Sequence, residues 1–375
     1  MEVWTAAAAL CVIAAAWRFW TGAHRPDPAS AVLIGALGGA CLYFSGCPDL
    51  HKGVVFCFCL VLFCVMMRKE ELVPVQNRAV LVTGCDSGFG HALAVRLSEA
   101  GLQVFAGVLD VHGPGAEQLK RRALKNLHVL QLDVTDSSQV QTVFNYICAQ
   151  VYHSGLWALV NNAGVLLCPT DAELQPLATL RRFMDVNFLS AVHMSQLFLP
   201  LLRRSRGRIV NVSSMAGEVP MPMFGAYGAS KAALSIFSRV MRLELAPWGV
   251  KVVLIQPAGF RTNIFGVPDD VIRYQDELLT TISAEAREDY GDEYISSLPC
   301  CLSFMFQQSA EDLSPVVEDM YHAVMSVHPR PLYTPGQMGW LLPFLHRCCP
   351  TSMFDAIITR LPTLNQQQPA GLRRT

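Results

Sequence analysis

The chain predicts a doubly wound α/β fold, a parallel sheet covered by helices on both faces. Three observations predict it. Short apolar runs alternate with helical stretches from residue 78 onward, a glycine-rich turn follows the first run, and Tyr227 stands four residues before Lys231 on a predicted helix. Residues 79–83 form a short apolar run of the kind a buried parallel strand shows. The turn at 84–90 and a helix over 91–100 follow, and Gly101 ends the helix. Further strands are expected at 104–108, 129–132, 158–160, 208–212 and 251–255, with helices at 137–151 and 179–202 between them. After Thr262 the alternation fails. Residues 263–327 read as charged and irregular, with an apolar patch at 301–306, and are expected to roof a substrate cleft. Residues 337–361 are apolar enough to rest on a membrane surface, and the tail over 366–375 is expected to be disordered.

The front of the chain has a different character. Of 375 residues, 52% are hydrophobic and only 16% charged, and the excess sits at the N-terminus. Residues 3–17, 31–47 and 54–67 are apolar, each somewhat short of the roughly 20 residues a span needs. A signal peptide fits poorly, because no basic residue precedes the first run and two more runs follow. Residues 1–70 are therefore expected to be a membrane anchor of two or three transmembrane helices. Arg18 and Arg25 fall in the first connection, Lys52 in the second, and Arg68, Lys69 and Arg78 after the third. With three spans this distribution puts the following domain in the cytoplasm. A polar linker at 70–77 leads to a domain over 78–265 and an extension over 266–375. The net charge of −1 excludes a strongly basic nucleic-acid binder. Of thirteen cysteines, six precede residue 65, and Cys300-Cys301 and Cys348-Cys349 are adjacent pairs without zinc-site spacing. They read as small hydrophobes in a reducing compartment, with no metal expected.

Chemistry is concentrated in four places. A strand feeding Thr83-Gly84-Cys85-Asp86-Ser87-Gly88-Phe89-Gly90 into a helix is a phosphate-binding turn: glycines admit the backbone to a pyrophosphate whose charge suits the helix N-terminus. Asp110, twenty residues past Gly90, is placed to accept hydrogen bonds from ribose hydroxyls. No Lys or Arg occurs between Arg96 and Lys120, and Ser87 stands where NADP users often carry a basic residue, so NAD is the expected cofactor. Asp133, after strand 129–132, is a candidate for the adenine amino group or a plain turn residue. Ser214, thirteen residues before Tyr227, is placed to hold a carbonyl or alcohol oxygen, with Ser213 as the adjacent alternative. A free tyrosine has a pKa of about 10; a nearby ammonium favours the phenolate and brings Tyr227 toward acid/base use. Asn187, within helix 179–202, offers a buried amide to anchor a water leading protons from Lys231 to solvent. Asn211-Val212-Ser213 matches a glycosylation sequon but lies on a predicted core strand.

Together, the turn at 83–90, Asn161-Asn162-Ala163-Gly164, Asn187, Ser214, Tyr227, Lys231 and Pro257-Ala258-Gly259 resemble the short-chain dehydrogenase/reductase family over residues 78–265. The resemblance implies a Rossmann-type sheet and the following roles. Tyr227 is the acid/base, Lys231 holds the nicotinamide ribose and lowers the tyrosine pKa, Ser214 holds substrate oxygen, and Asn187 joins the proton relay. Asn161, Ala163 and Gly164 buttress the sheet beside the cofactor, and Thr262, with Pro257 and Gly259 before it, contacts the carboxamide. Ala258 departs from the frequent second glycine. Gly113-Pro114-Gly115-Ala116, the run 155–164, Leu245-Ala246-Pro247-Trp248-Gly249, Tyr333-Thr334-Pro335-Gly336 and the apolar N-terminus look like the family's membrane-bound steroid and retinol dehydrogenases. Within these the 17β-hydroxysteroid enzymes are nearest and the 11β enzymes second. That implies a lipophilic steroid substrate, an endoplasmic-reticulum membrane location and a homodimer formed through the helices bearing Asn187 and Tyr227. The alternatives are 11β-hydroxysteroid or retinol oxidation, or a membrane-anchored binding protein that keeps the fold without catalysis.

Overall fold

Strand residues of both parities are apolar, so both faces of the sheet need cover. Val80 and Val82 of β1 (Ala79–Val82) enter one buried cluster, while Ala79 and Leu81 enter a second on the other face. Burying each of the valine and leucine side chains stabilises the fold by roughly 1.5–3 kcal/mol. The computed structural model describes residues 71–122, 124–167, 169–265, 268–360 and 367–373, so the anchor expected at 1–70 lies outside the described residues. Among the described residues no helix is long and apolar enough to cross a membrane.

The strands after β1 are β2 (Gln103–Val108), β3 (Leu127–Gln131), β4 (Ala158–Asn161), β5 (Arg208–Val212), β6 (Lys251–Ile255) and β7 (Leu332–Tyr333). They form one parallel sheet in the order β3-β2-β1-β4-β5-β6-β7. Helices α1 (Gly88–Glu99) and α2 (Pro114–Arg121) cover the first face. On the second lie α3 (Ser137–Gln150), α5 (Ser190–Ser205), which continues α4 (Leu177–Met184), and α6 (Gly225–Leu245). Strand order reverses between β1 and β4, and a crevice opens there beyond the carboxyl ends of the strands, where ligands of open α/β sheets bind.

Three expectations are corrected. The single helix at 179–202 is broken by a π-helical turn, Asp185–Leu189, which contains Asn187. Residues 263–327 are helical rather than irregular, forming α7 (Pro268–Thr281), α8 (Ala284–Tyr290), α9 (Asp292–Gln308) and α10 (Ser314–Met325). In α9 the buried Tyr294, Ile295, Leu298, Cys301 and Leu302 form a helical stripe that the internal Pro299 masks in the sequence. Finally, after α11 (Leu341–Cys348) and α12 (Thr351–Ile358), the described part of the tail, residues 367–373, is ordered: α13 (Ala370–Arg373) packs on α8, and Arg373 pairs with Glu293 at 2.8 Å.

A buried cation ties α10 to the sheet. Arg208, only 1% exposed, donates to the carbonyls of Ala323 and Ser326 at 3.0 and 2.8 Å, where the helix ends with unsatisfied acceptors. Trp157 donates to the carbonyl between them, Val324, at 3.0 Å, and its ring lies 4.1 Å from the Arg208 guanidinium. Burial, followed by the charge of Arg78, pulls the Arg208 pKa down to about 9.

Candidate active site

The glycine turn is shaped by contacts that exclude side chains. Gly84 and Gly88 have φ of 68° and 59°, in the left-handed region that favours glycine. A Cβ on Gly90 would lie 2.3 Å from the Gly84 carbonyl oxygen and 2.5 Å from Asn162 Nδ2. Asn162 donates to the carbonyls of Thr83 and Gly84 at 2.9 and 3.1 Å, and Thr83 Oγ1 accepts from the backbone of Asn162 and Ala163, both at 3.0 Å. The segment after β4 thus holds the turn by four hydrogen bonds. The Ser87 side chain makes no capping hydrogen bond to α1, and no acidic residue occupies the first helical turn. This bare, positively polarised helix end behind a glycine cradle fits a dinucleotide pyrophosphate.

At the end of β2 two carboxylates line the same cleft, Asp110 and Asp86. Asp110 lies two residues past the strand and accepts from His112 N at 2.9 Å. Asp86, which sequence reasoning passed over, accepts from Leu109 N at 2.9 Å and Asp110 N at 3.2 Å, so it anchors the strand end. Its position inside the turn motif was the available signal. Asp133 does not line the cleft; its carboxylate closes a turn onto Thr135 at 2.9 and 2.7 Å. Asn161 is also remote, bonded in the core to Asn211 and Ser195 at 2.8 and 3.2 Å. Asn211 itself is fully buried, which removes the sequon from solvent.

The first turns of α6 bring Tyr227 and Lys231 to the cleft, both buried. Ser214, just past the end of β5, lines the cleft with Tyr227 and accepts from Ala216 N at 3.2 Å, while Ser213 spends its own hydroxyl on the Lys231 carbonyl and on Ser235, at 2.8 and 2.9 Å. Lys231 Nζ donates to the Val212 carbonyl at 3.0 Å and lies 5.9 Å from the centre of the tyrosine ring. Burial pushes the Tyr227 pKa up to about 12, against the smaller lowering by Ser214, and pulls Lys231 down to about 8. The lowering expected from Lys231 does not appear: only Ser214 opposes the effect of burial. Asn187 grips Val165, accepting from its N at 2.8 Å and donating to its O at 3.0 Å, and also donates to Ser230 at 3.1 Å. A Cβ on Gly164 would approach Asn187 Oδ1 and Lys231 Nζ to 3.2 Å each, so glycine keeps the amine uncovered.

Pro257, Gly259 and Thr262 line the opposite wall. Pro257 O accepts from Met215 N at 3.0 Å, and Thr262 faces Gly88, whose Cβ would stand 3.2 Å away. The whole cleft measures about 1200 Å³. Pockets for one drug-sized ligand run to roughly 300–1,000 Å³, so there is room for a dinucleotide and a second molecule. Beyond Tyr227 the walls turn apolar, with Met221, Met223, Phe224 and Phe304. Asp171 and Tyr294 interrupt that surface, and Gln367 and Leu372 of the tail border it. Sequence reasoning missed these four, because packing between distant segments brings them together. A hydroxyl pair beside a buried amine, at the junction of a dinucleotide cradle and an apolar chamber, can exchange a proton with an alcohol or ketone.

Comparison with known proteins agrees with this geometry. The profile of the short chain dehydrogenase family matches residues 78–269. Estradiol 17-beta-dehydrogenase 2 of Mus musculus is 45% identical over 88% of this chain and 86% of its own length. The human 17-beta-hydroxysteroid dehydrogenase type 2 is 44% identical over 85% and 82%. The 11-beta-hydroxysteroid dehydrogenase type 2 of Ovis aries is 40% identical over 87% and 76%. Among solved structures, a short-chain dehydrogenase from Streptomyces avermitilis aligns with a TM-score of 0.57 and 25% identity, over 75% of this chain and 95% of that one. The chain belongs to the short-chain dehydrogenase family and is an oxidoreductase.

Proposed function

We propose that the protein oxidises the 17β-hydroxyl of steroids with NAD, converting estradiol to estrone and testosterone to androstenedione. The observation that carries this reading is the meeting, in one cleft, of the Ser214–Tyr227 hydroxyl pair with an apolar chamber on one side and two carboxylates on the other. Similarity to the two 17-beta enzymes supports the steroid class. Asp86 and Asp110 support NAD, since paired carboxylates accept ribose hydroxyls and repel a 2′-phosphate.

NAD, when bound, supplies the acceptor for the hydride leaving the alcohol carbon. Ser214 holds the substrate oxygen, and Tyr227 takes its proton as general base. Lys231 in its ammonium form favours the phenolate and holds the nicotinamide ribose, while Asn187 supports the path by which the proton leaves. The glycine turn and α1 hold the pyrophosphate; Pro257, Gly259 and Thr262 border the nicotinamide.

Residues 1–70 anchor the protein in the endoplasmic-reticulum membrane, residues 78–265 form a cytosolic catalytic domain, and 266–375 form a substrate cap. Digestion of the C-terminal domain by protease added to sealed microsomes is the expected result, and full protection overturns it. Exposed Leu189, Ile236 and Leu243 on the helices bearing Asn187 and Tyr227 support a homodimer. Light scattering of the purified protein should give twice the monomer mass, and Leu243→Glu should lower it.

The test of the activity is to incubate membranes expressing the chain with NAD or NADP and, separately, estradiol, testosterone, cortisol and all-trans-retinol. Faster oxidation of estradiol and testosterone with NAD is expected. Preference for cortisol or retinol overturns the 17β assignment but keeps the chemistry, and no turnover by folded protein favours a binding protein.

A further inference from the structure

The apolar part of the cleft contains a carboxylate, Asp171, that no cation among the described residues neutralises. Asp171, on the segment after β4, lines the chamber together with Tyr294 of α9. The Tyr294 hydroxyl donates to Asp171 Oδ2 at 2.5 Å. Among the described residues no Lys, Arg or His pairs with Asp171, and its Oδ1 has no partner. Asp171 also lies on the wall that leads to Tyr227. Its neighbour Thr170 donates its N–H to the Met223 carbonyl at 3.0 Å, and a Cβ on Gly225, two residues before Tyr227, would touch Ala172 Cβ at 3.4 Å.

The donor–acceptor balance of this pair is one-sided. Burial, and then the bond to Asp171 and its charge, raise the Tyr294 pKa, so the phenol stays protonated. Its proton is committed to Asp171. What remains for a ligand is acceptor capacity alone: the free carboxylate oxygen and the phenol lone pair. In an apolar chamber such groups need a donor, and one left without it is costly.

We infer that Asp171 and Tyr294 form a recognition site for a second hydroxyl on the substrate, away from the carbon being oxidised, so that the enzyme prefers diols over ketols of the same skeleton. The inference rests on the steroid reading above. Estradiol, which carries a phenolic hydroxyl on the ring remote from carbon 17, satisfies the site, whereas testosterone presents a ketone there that can only accept.

The test compares kcat/KM for estradiol and testosterone in the wild type, Asp171→Asn and Tyr294→Phe, with NADH binding and thermal melting as checks on the fold. Asp171→Asn exchanges an acceptor for a side chain that also donates. The estradiol-to-testosterone ratio should fall by roughly tenfold to a hundredfold, the worth of a hydrogen bond to a charged group, with the change in KM rather than kcat. Tyr294→Phe should lower the ratio less, since the carboxylate remains. A ratio unchanged in Asp171→Asn that binds NADH normally overturns the inference and leaves the steroid reading intact. Wild-type protein that oxidises no steroid overturns both, before any variant is made.

Discussion

At the scale of the residue, chemistry depends on two groups whose pKa values are crossed. In the proposed mechanism oxidation requires Tyr227 without its proton and Lys231 with it, yet burial holds the first at about 12 and the second at about 8. The productive fraction rises with pH as the phenol ionises and falls as the ammonium is lost, so its maximum lies between those values. A kcat/KM profile, which reports the free enzyme, should therefore climb from pH 7 to 9 for alcohol oxidation. Ketone reduction needs both groups protonated and should decline over the same interval. An oxidation profile that falls from pH 7 to 9 contradicts the assignment. Tyr227→Phe should lose roughly 10²–10⁴-fold in kcat/KM, the usual span for an acid/base group, and still quench with NADH in a fluorescence titration. The Tyr227, Lys231 and Ser214 group was legible in the sequence because one helix and one strand end fix its spacing. Their pKa values were not, since desolvation depends on everything packed around them.

The elements around the dinucleotide cradle are held by backbone approach. The close contacts at Gly90 leave no room for a methyl group, and overpacking of this kind costs roughly 1–3 kcal/mol. Gly90→Ala should lower the melting temperature and weaken NADH binding at least about tenfold, read from one titration and one melt; unchanged binding would show that the turn does not hold the cofactor. At the end of β2, Asp110→Ala should lower the NAD-to-NADP ratio of kcat/KM, and a constant ratio would shift the ribose role to Asp86. The strand–turn–helix was readable because a buried parallel strand and a glycine turn leave local marks. Helix α9 was not, although its stripe at Tyr294, Ile295, Leu298, Cys301 and Leu302 has helical spacing. Pro299 broke the local pattern, and only contacts with the chamber explain why those side chains are buried.

For the whole molecule, the sheet is a fixed frame and the chamber is built by what returns to it. Arg208 and Trp157 fasten α10, while the tail reaches the cleft through Gln367 and Leu372 and is pinned by Arg373 on Glu293. Removing residues 367–375 should raise the steroid KM several-fold and leave the NADH dissociation constant unchanged. Loss of NADH binding in the same variant would show that the tail supports the frame instead. No local pattern in the sequence marked this tail, because its order comes from α8, far upstream.

The connection between β6 and β7 has a practical meaning. These strands are parallel neighbours, yet the chain between them, from Gln256 to Pro331, contains α7, α8 and α9 and so the chamber's roof. Both ends of that excursion are clamped in the sheet, and the groups proposed to transfer the proton, Ser214, Tyr227 and Lys231, all precede it. The roof is thus an exchangeable cassette: grafting the corresponding stretch from an 11-beta relative should import that relative's choice of alcohol while the reaction, and the coenzyme, stay those of the host.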